Sequence, residues 1–291
     1  MFDLRYHVAS LAAVFVALIV GILVGVGLAG SGVTKEADLK SARLERDNAR
    51  RDAAARLAAL KQLGASADTL QSAFQQAYPE VMRGLLKGKR VAVLYVGPVD
   101  GGVSQAVETT LRDAGADPPV RVLSLSVPID SKAVDSALAE SGPQFARYVG
   151  KDKLGSLGSA LGSEFEAGGA TPLWKVLGGE LIGERSGDSR KRADAVVVVR
   201  TVKPQPGDTA RLLRGVFTSL AAGDIPAVGV EETDTTPSAV PVFHDRGLSS
   251  IDDMDQMPGR VALALLLAGA PSGQYGTVEG DDAVLPSRQS G

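Results

Sequence analysis

Two thioethers stand three residues apart in Ile251-Asp252-Asp253-Met254-Asp255-Gln256-Met257, among three carboxylates, with His244-Asp245 just upstream. Thioether and imidazole donors suit copper, whereas carboxylates suit harder ions. Met254, Met257 and His244 are therefore the candidate metal ligands, and copper the candidate ion. The plainer reading of the same stretch is an acidic loop with methionine packed beneath it. The chain has no cysteine and only two histidines, His7 and His244. That removes disulfides, thiolate metal sites, iron–sulfur clusters and cysteine nucleophiles together. Gly97-Pro98-Val99-Asp100-Gly101-Gly102 could offer a helix N-terminus to a phosphate. It matches neither the dinucleotide nor the Walker spacing, so it reads as a structural turn. Gly102-Val103-Ser104-Gln105-Ala106 lacks the second glycine of a nucleophile elbow, and Ser104 suits a helix N-cap. Arg185, Arg190, Lys191 and Arg192 cluster without interleaved aromatics, as a solvated loop does, and no nucleic-acid partner is expected. No acid–base or nucleophile constellation survives inspection, so the expectation is a non-enzymatic protein with no catalytic or cofactor-binding residues.

The elements that would position these residues fall into unlike parts. The chain has 291 residues, 44% of them hydrophobic, and a formal net charge of −3. Residues 1–63 carry +3 and the remainder −6. Residues 8–29 contain no charge. As a helix they would span about 33 Å, enough for a hydrocarbon core of about 30 Å. The apolar run is too long, and its leader too weakly basic, for an ordinary cleaved signal peptide. It is read as an uncleaved signal-anchor. Within it Ala9, Ala13, Ala17, Gly21, Gly25 and Ala29 recur every fourth position. This small-residue stripe suits close packing against a second copy or another membrane protein. By the positive-inside rule, Arg5 before the span and Lys35, Lys40, Arg43 and Arg46 after it would hold the C-terminal part in the cytoplasm.

A stalk follows, rich in Ala and charge, with oppositely charged pairs Glu36–Lys40, Asp47–Arg51 and Asp52–Arg56 at helical spacing. A heptad frame puts Leu39, Leu60, Phe74 and Val81 at a and Leu63 and Leu70 at d, interrupted by Arg46 and Arg56, a weak coiled-coil seam. Beyond Lys89 the period changes. Strands are expected at residues 90–96, 120–125, 195–199 and 226–230, and helices at 103–114, 209–222 and 260–268. Leu154, Leu157, Leu161 and Phe165 share one helical face. The fold class expected is α/β: an N-terminal transmembrane helix (1–32), a helical, coiled-coil-like stalk (33–87), then a mostly parallel sheet flanked by helices (88–270), with an irregular tail (271–291).

The opening MFDLRYHVASL, running straight into the apolar span, resembles the actinobacterial copper transport outer-membrane protein (MctB) family. The segment DDMDQMPGRVALALLLAG at 252–269, followed by Gln274-Tyr275-Gly276, is similar to that family, as is Asp282-Ala283-Val284-Leu285-Pro286. The resemblance runs nearly the whole chain. It implies a single-pass cell-envelope membrane protein of copper homeostasis or export, with its globular domain outside the cytoplasmic membrane, and it carries no copper ligands over to this sequence. A non-enzymatic scaffold or regulator of cell-wall growth or division, acting through membrane helix and stalk, is the alternative.

Overall fold

The computed structural model describes residues 4–99, 101–277 and 282–287, with side chains described outside 4–9 and 28–38. Two compact units make up the chain, Met1–Ser72 and Ala73–Gly291.

The first unit is helical. Helix α1, Leu4–Met82, takes in the described residues of this unit, and its last turns belong to the second unit. Ser10–Gly27 is long and apolar enough to cross a membrane, with a mean hydropathy of 2.6, and none of it is buried by protein. Leu39, Leu60, Leu63 and Leu70 of the stalk are each more than half exposed. Neither Asp47–Arg51 nor Asp52–Arg56 forms an ion pair; Arg46 Nη2 lies 3.5 Å from Asp47 instead. Exposed pairs of this kind are worth only a few tenths of a kcal/mol, too little to fix long side chains. The expected partner Glu36 and the side chain of Ala29 lie outside the described residues.

The second unit is a seven-stranded sheet in the order β3-β2-β1-β4-β5-β6-β7. Its strands are β1 Val91–Val96, β2 Arg121–Leu125, β3 Ile182–Gly187, β4 Ala195–Arg200, β5 Ala227–Val230, β6 Ser249–Ile251 and β7 Gln274–Tyr275. Every pairing is parallel except β2 with β3. The continuous apolar runs of β1 and β4 are explained by burial on both faces. Ala92, Leu94, Val96, Val196 and Val198 join one core with α3 (Ser131–Glu140), α4 (Leu154–Ala167), α5 (Pro172–Val176), α6 (Gly178–Leu181) and α7 (Gly207–Ala221). Val91, Val93, Tyr95, Val197 and Val199 join the other, with α2 (Gly101–Asp113) and α9 (Met257–Ala268). The short helix α8, Val240–His244, sends Phe243 into the first core. Met82 and Leu86, both fully buried, tie the end of α1 to the second core. There Tyr78 donates to Asp113 at 3.0 Å, and burial together with that bond pushes its phenol up to about 12.

Leu154, Leu157, Leu161 and Phe165 are all buried, as their spacing predicts. Ser104 departs from expectation. It lies inside α2, buried, and accepts the Tyr95 hydroxyl at 2.9 Å instead of capping the helix. The tail adds the short strand β7 where irregular chain is expected; residues 278–281 and 288–291 lie outside the description.

Arg90 clamps the entry of β1 to the residue before β4. Its Nε and its backbone N–H each donate to Asp194 Oδ2 at 2.9 Å, and its Nη2 donates to Oδ1 at 2.7 Å. Hydrogen bonds from the Arg90 side chain, reinforced by its backbone N–H and charge, hold the Asp194 carboxyl down at about 2 against the opposing effect of burial. A depressed carboxylate pKa contributes stability that is present above about pH 4, the unfolded value, and is lost as pH falls through the folded one. Arg90 is 43% and Asp194 29% exposed, so the expected contribution is below about 1 kcal/mol. Asp194→Asn should therefore lower the urea midpoint slightly at pH 6 and by progressively less as the pH falls toward 2, where the folded-state carboxyl is half protonated. A variant effect of equal size at both pH values would contradict the pairing.

Candidate functional site: the carboxyl end of the parallel sheet

The chain leaves β1 toward β2 on one side and returns through β4 toward β5 on the other, so neighbouring connections diverge between β1 and β4. In open α/β sheets, ligands bind in the crevice outside the strand carboxyl ends at such a switch point. Here the two loops are pressed together. Thr201 donates through its hydroxyl to Pro98 O at 2.6 Å, and through its backbone N–H to Val96 O at 3.2 Å. Gly97 has φ +107°, and a Cβ there would lie 2.6 Å from Val202 Cγ1, so the approach needs glycine. Asp100 of the same turn is outside the described residues.

Arg200 closes β4 and Glu231 follows β5. The register that sets Val199 beside Val230 brings the two side chains together. Arg200 Nη2 donates to Glu231 Oε2 at 2.9 Å and to Pro237 O at 2.6 Å. Glu231 also accepts the Ala239 N–H at 2.7 Å and the Ser238 hydroxyl. The pair is buried, the side chains 6% and 2% exposed. Burial draws the guanidinium pKa down, and the Glu231 charge opposes that. Nε and Nη1 of Arg200 are buried without a hydrogen-bond partner among the described residues. Two cavities flank this side chain. One of about 240 Å³ is walled by Phe217, Val242 and Phe243, the other, of about 210 Å³, by Thr201, Lys203, Glu232 and Thr236. The arrangement is a buried, charge-balanced clamp that ties the segment Pro237–Ala239 to the ends of β4 and β5.

The sequence-derived metal ligands lie elsewhere. Met254 is fully buried in the apolar core of α2 and α9. Met257 opens α9 and is partly exposed. His244 is exposed at the end of α8, with Nδ1 hydrogen-bonded to the Gln274 amide. None of the three lines the cavities beside Arg200. The carboxylates near Met254 hold loops: Asp252 accepts the Thr277 N–H at 3.0 Å, and Asp255 accepts Thr233 through its N–H and hydroxyl at 2.7 and 2.8 Å. Burial works against the Asp255 charge, but these donors outweigh it and hold its pKa low. Among the described residues no three His, Asp or Glu side chains converge on a point a metal could occupy. A copper-ligand role for Met254 would require the core to open.

In α1, Ala13, Ala17, Gly21 and Gly25 lie within the apolar span, and a Cβ at Gly21 or Gly25 would meet nothing within 4 Å. The family profile described as "Copper transport outer membrane protein, MctB" matches residues 1–286. The chain belongs to the MctB family. Proteins named copper transporter MctB in Mycobacterium bovis and Mycobacterium tuberculosis are 25% identical to it over 320 aligned positions, covering 99% of this chain and all of theirs. The match thus takes in the apolar helix, the stalk and the α/β unit of this MctB-family chain alike. Its described strands form an open sheet covered by helices on both faces, and its membrane-length apolar segment is a single helix of the other unit. Arg200 and Glu231 went unmarked in the sequence, although each is a charge set directly behind a buried apolar run, at the same end of neighbouring strands.

Proposed function

We propose that the chain is a membrane-anchored cell-envelope protein of copper homeostasis, acting within an assembly rather than as a pore by itself. The observation that carries this reading is the family match over residues 1–286 on a chain whose apolar span is a single helix, Ser10–Gly27. A membrane barrel would need at least about eight tilted strands alternating lipid and lumen faces. β1 and β4 are instead buried on both faces, which supports helix-mediated assembly over a barrel. The small-residue stripe Ala13, Ala17, Gly21, Gly25 and Ala29 is the surface on which a second copy or another membrane protein would pack, because lipid supplies no hydrophobic drive between helices. On this reading the α/β unit lies outside the cytoplasmic membrane, against the bias of Lys35, Lys40, Arg43 and Arg46.

Copper content per cell tests the function. Cells lacking the chain should accumulate several-fold more copper under copper challenge, and the wild-type chain should restore the normal level. Gly21→Leu with Gly25→Leu should fail to restore it while still reaching the membrane. Equal copper content with and without the chain would sink the proposal. The exposed leucines of the stalk favour a second reading, an envelope scaffold for wall growth or division. It predicts altered cell shape or septation at unchanged copper content.

A further inference from the structure

The domain buries two arginines at strand ends, and they are treated differently. Arg200 has Glu231. Arg121, the first residue of β2, is 5% exposed, and no ion pair includes it among the described residues. One of its terminal nitrogens donates to the Lys191 carbonyl, its guanidinium carbon sits 5.7 Å from the centre of the Phe165 ring, and its Nε is buried with no hydrogen-bond partner among the described residues. Asp188 is the carboxylate whose charge reaches it, and that group is committed to Arg190 through contacts at 3.0, 3.1 and 3.4 Å. A guanidinium taken out of water without a counter-charge costs several kcal/mol, so buried charges are normally paired.

What lies beside Arg121 supplies the reason for the exception. A cavity of about 730 Å³ opens between β2–β3 and α4–α5. Its wall includes Phe165, Trp174 and Ile182, its cations are Arg121, Lys175 and Arg185, and among the described residues no aspartate or glutamate lines it. Lys175 and Arg185 are exposed, and neither is in an ion pair among the described residues. The volume is within the range of about 300–1,000 Å³ typical of small-ligand sites, and the lining joins an apolar wall to a few charged groups. Ion pairs and hydrogen bonds to a carboxylate or phosphate are the strong polar interactions available to such cations.

We propose that this cavity binds a small organic anion, an apolar or aromatic body carrying a carboxylate or phosphate, with Arg121, Lys175 and Arg185 receiving the anionic head and Phe165 and Trp174 the body. The site is separate from the Arg200–Glu231 crevice and independent of the copper reading.

Trp174 is the chain's only tryptophan, 5% exposed, its indole N–H bonded to Leu161 O at 2.9 Å, so its fluorescence reports on this cavity alone. The full-length protein in a non-ionic detergent would be titrated with 4-bromophenyl phosphate, whose bromine quenches tryptophan on contact, and with neutral 4-bromobenzyl alcohol. The expected result is saturable quenching by the phosphate, weakened about tenfold, and no less than threefold, in Lys175→Gln with Arg185→Gln. Both substitutions are at exposed positions, and unchanged far-ultraviolet circular dichroism would confirm that the variant folds. Arg121→Gln should weaken binding further, but the exposed pair decides the matter because it spares the buried position. Equal quenching by the neutral analogue, a loss below threefold in the double variant, or displacement by equimolar inorganic phosphate would each overturn the proposal.

Discussion

Gly215→Val should unfold the α/β domain at ambient temperature, with a loss of more than about 4 kcal/mol. Helices α4 and α7 meet backbone to backbone. A Cβ on Gly215 would stand 2.1 Å from Gly155 O and 2.8 Å from Ser159 N, and one on Gly158 would stand 2.0 Å from Leu212 O. Real Cβ contacts do not approach so closely, and no rotamer change relieves a clash with a carbonyl oxygen. The helices would have to separate, uncovering Leu157, Leu161, Leu212 and Val216, all of which are fully buried. Overpacking a side-chain core costs about 1–3 kcal/mol because neighbours can shift, and backbone neighbours shift far less readily. Gly155→Ala is the control, since a Cβ there meets nothing within 4 Å. It should be neutral or raise stability by about 0.5–1 kcal/mol, through the helix preference for alanine. Urea melts followed by Trp174 emission would separate the two outcomes. A Gly215→Val protein with a wild-type midpoint would refute the α4–α7 packing.

The second large effect is expected from Arg200→Met. It leaves Glu231, 2% exposed, with its Ser238 and Ala239 donors but without a cation. Removing one partner of a buried pair costs about 3–5 kcal/mol because the other charge stays buried and uncompensated. Replacing both, Arg200→Met with Glu231→Leu, should recover most of the loss, since well-packed apolar residues often substitute for a buried pair at little cost. The double variant is thus expected to be more stable than Arg200→Met alone. A double variant at least as unstable as the sum of its singles would show that the two side chains act independently.

Legibility in the sequence followed burial. β1 and β4 are covered on both faces, so they stand out as apolar runs, and with them the parallel α/β class. Strand β3 did not announce itself, because it is an edge strand whose Glu184, Arg185 and Ser186 are exposed. β6 is only Ser249-Ser250-Ile251, too short and too polar to show a period. Helix α3 carries its start signal in a single polar residue: Asp130 accepts the N–H groups of Lys132 and Ala133 at 2.9 and 3.2 Å, a cap one residue before Ser131. The membrane-length helix needed only its length and lack of charge. The methionines of 251–257 are soft metal ligands by residue type, yet type says nothing of burial, and Met254 packs as a core side chain. Arg121 and Arg200 are the converse case. Their meaning comes from having or lacking an ion-pair partner distant in sequence, Glu231 for Arg200 and none among the described residues for Arg121.

A topology reporter fused after Gly291 bears most directly on the central claim, that one helix anchors an α/β domain in the envelope outside the cytoplasmic membrane. Alkaline phosphatase, active only after export, and green fluorescent protein, fluorescent in the cytoplasm, give opposite readings. Phosphatase activity without fluorescence is the expected result. Fluorescence without phosphatase activity would contradict it, and would mean that the basic residues following the span set the orientation.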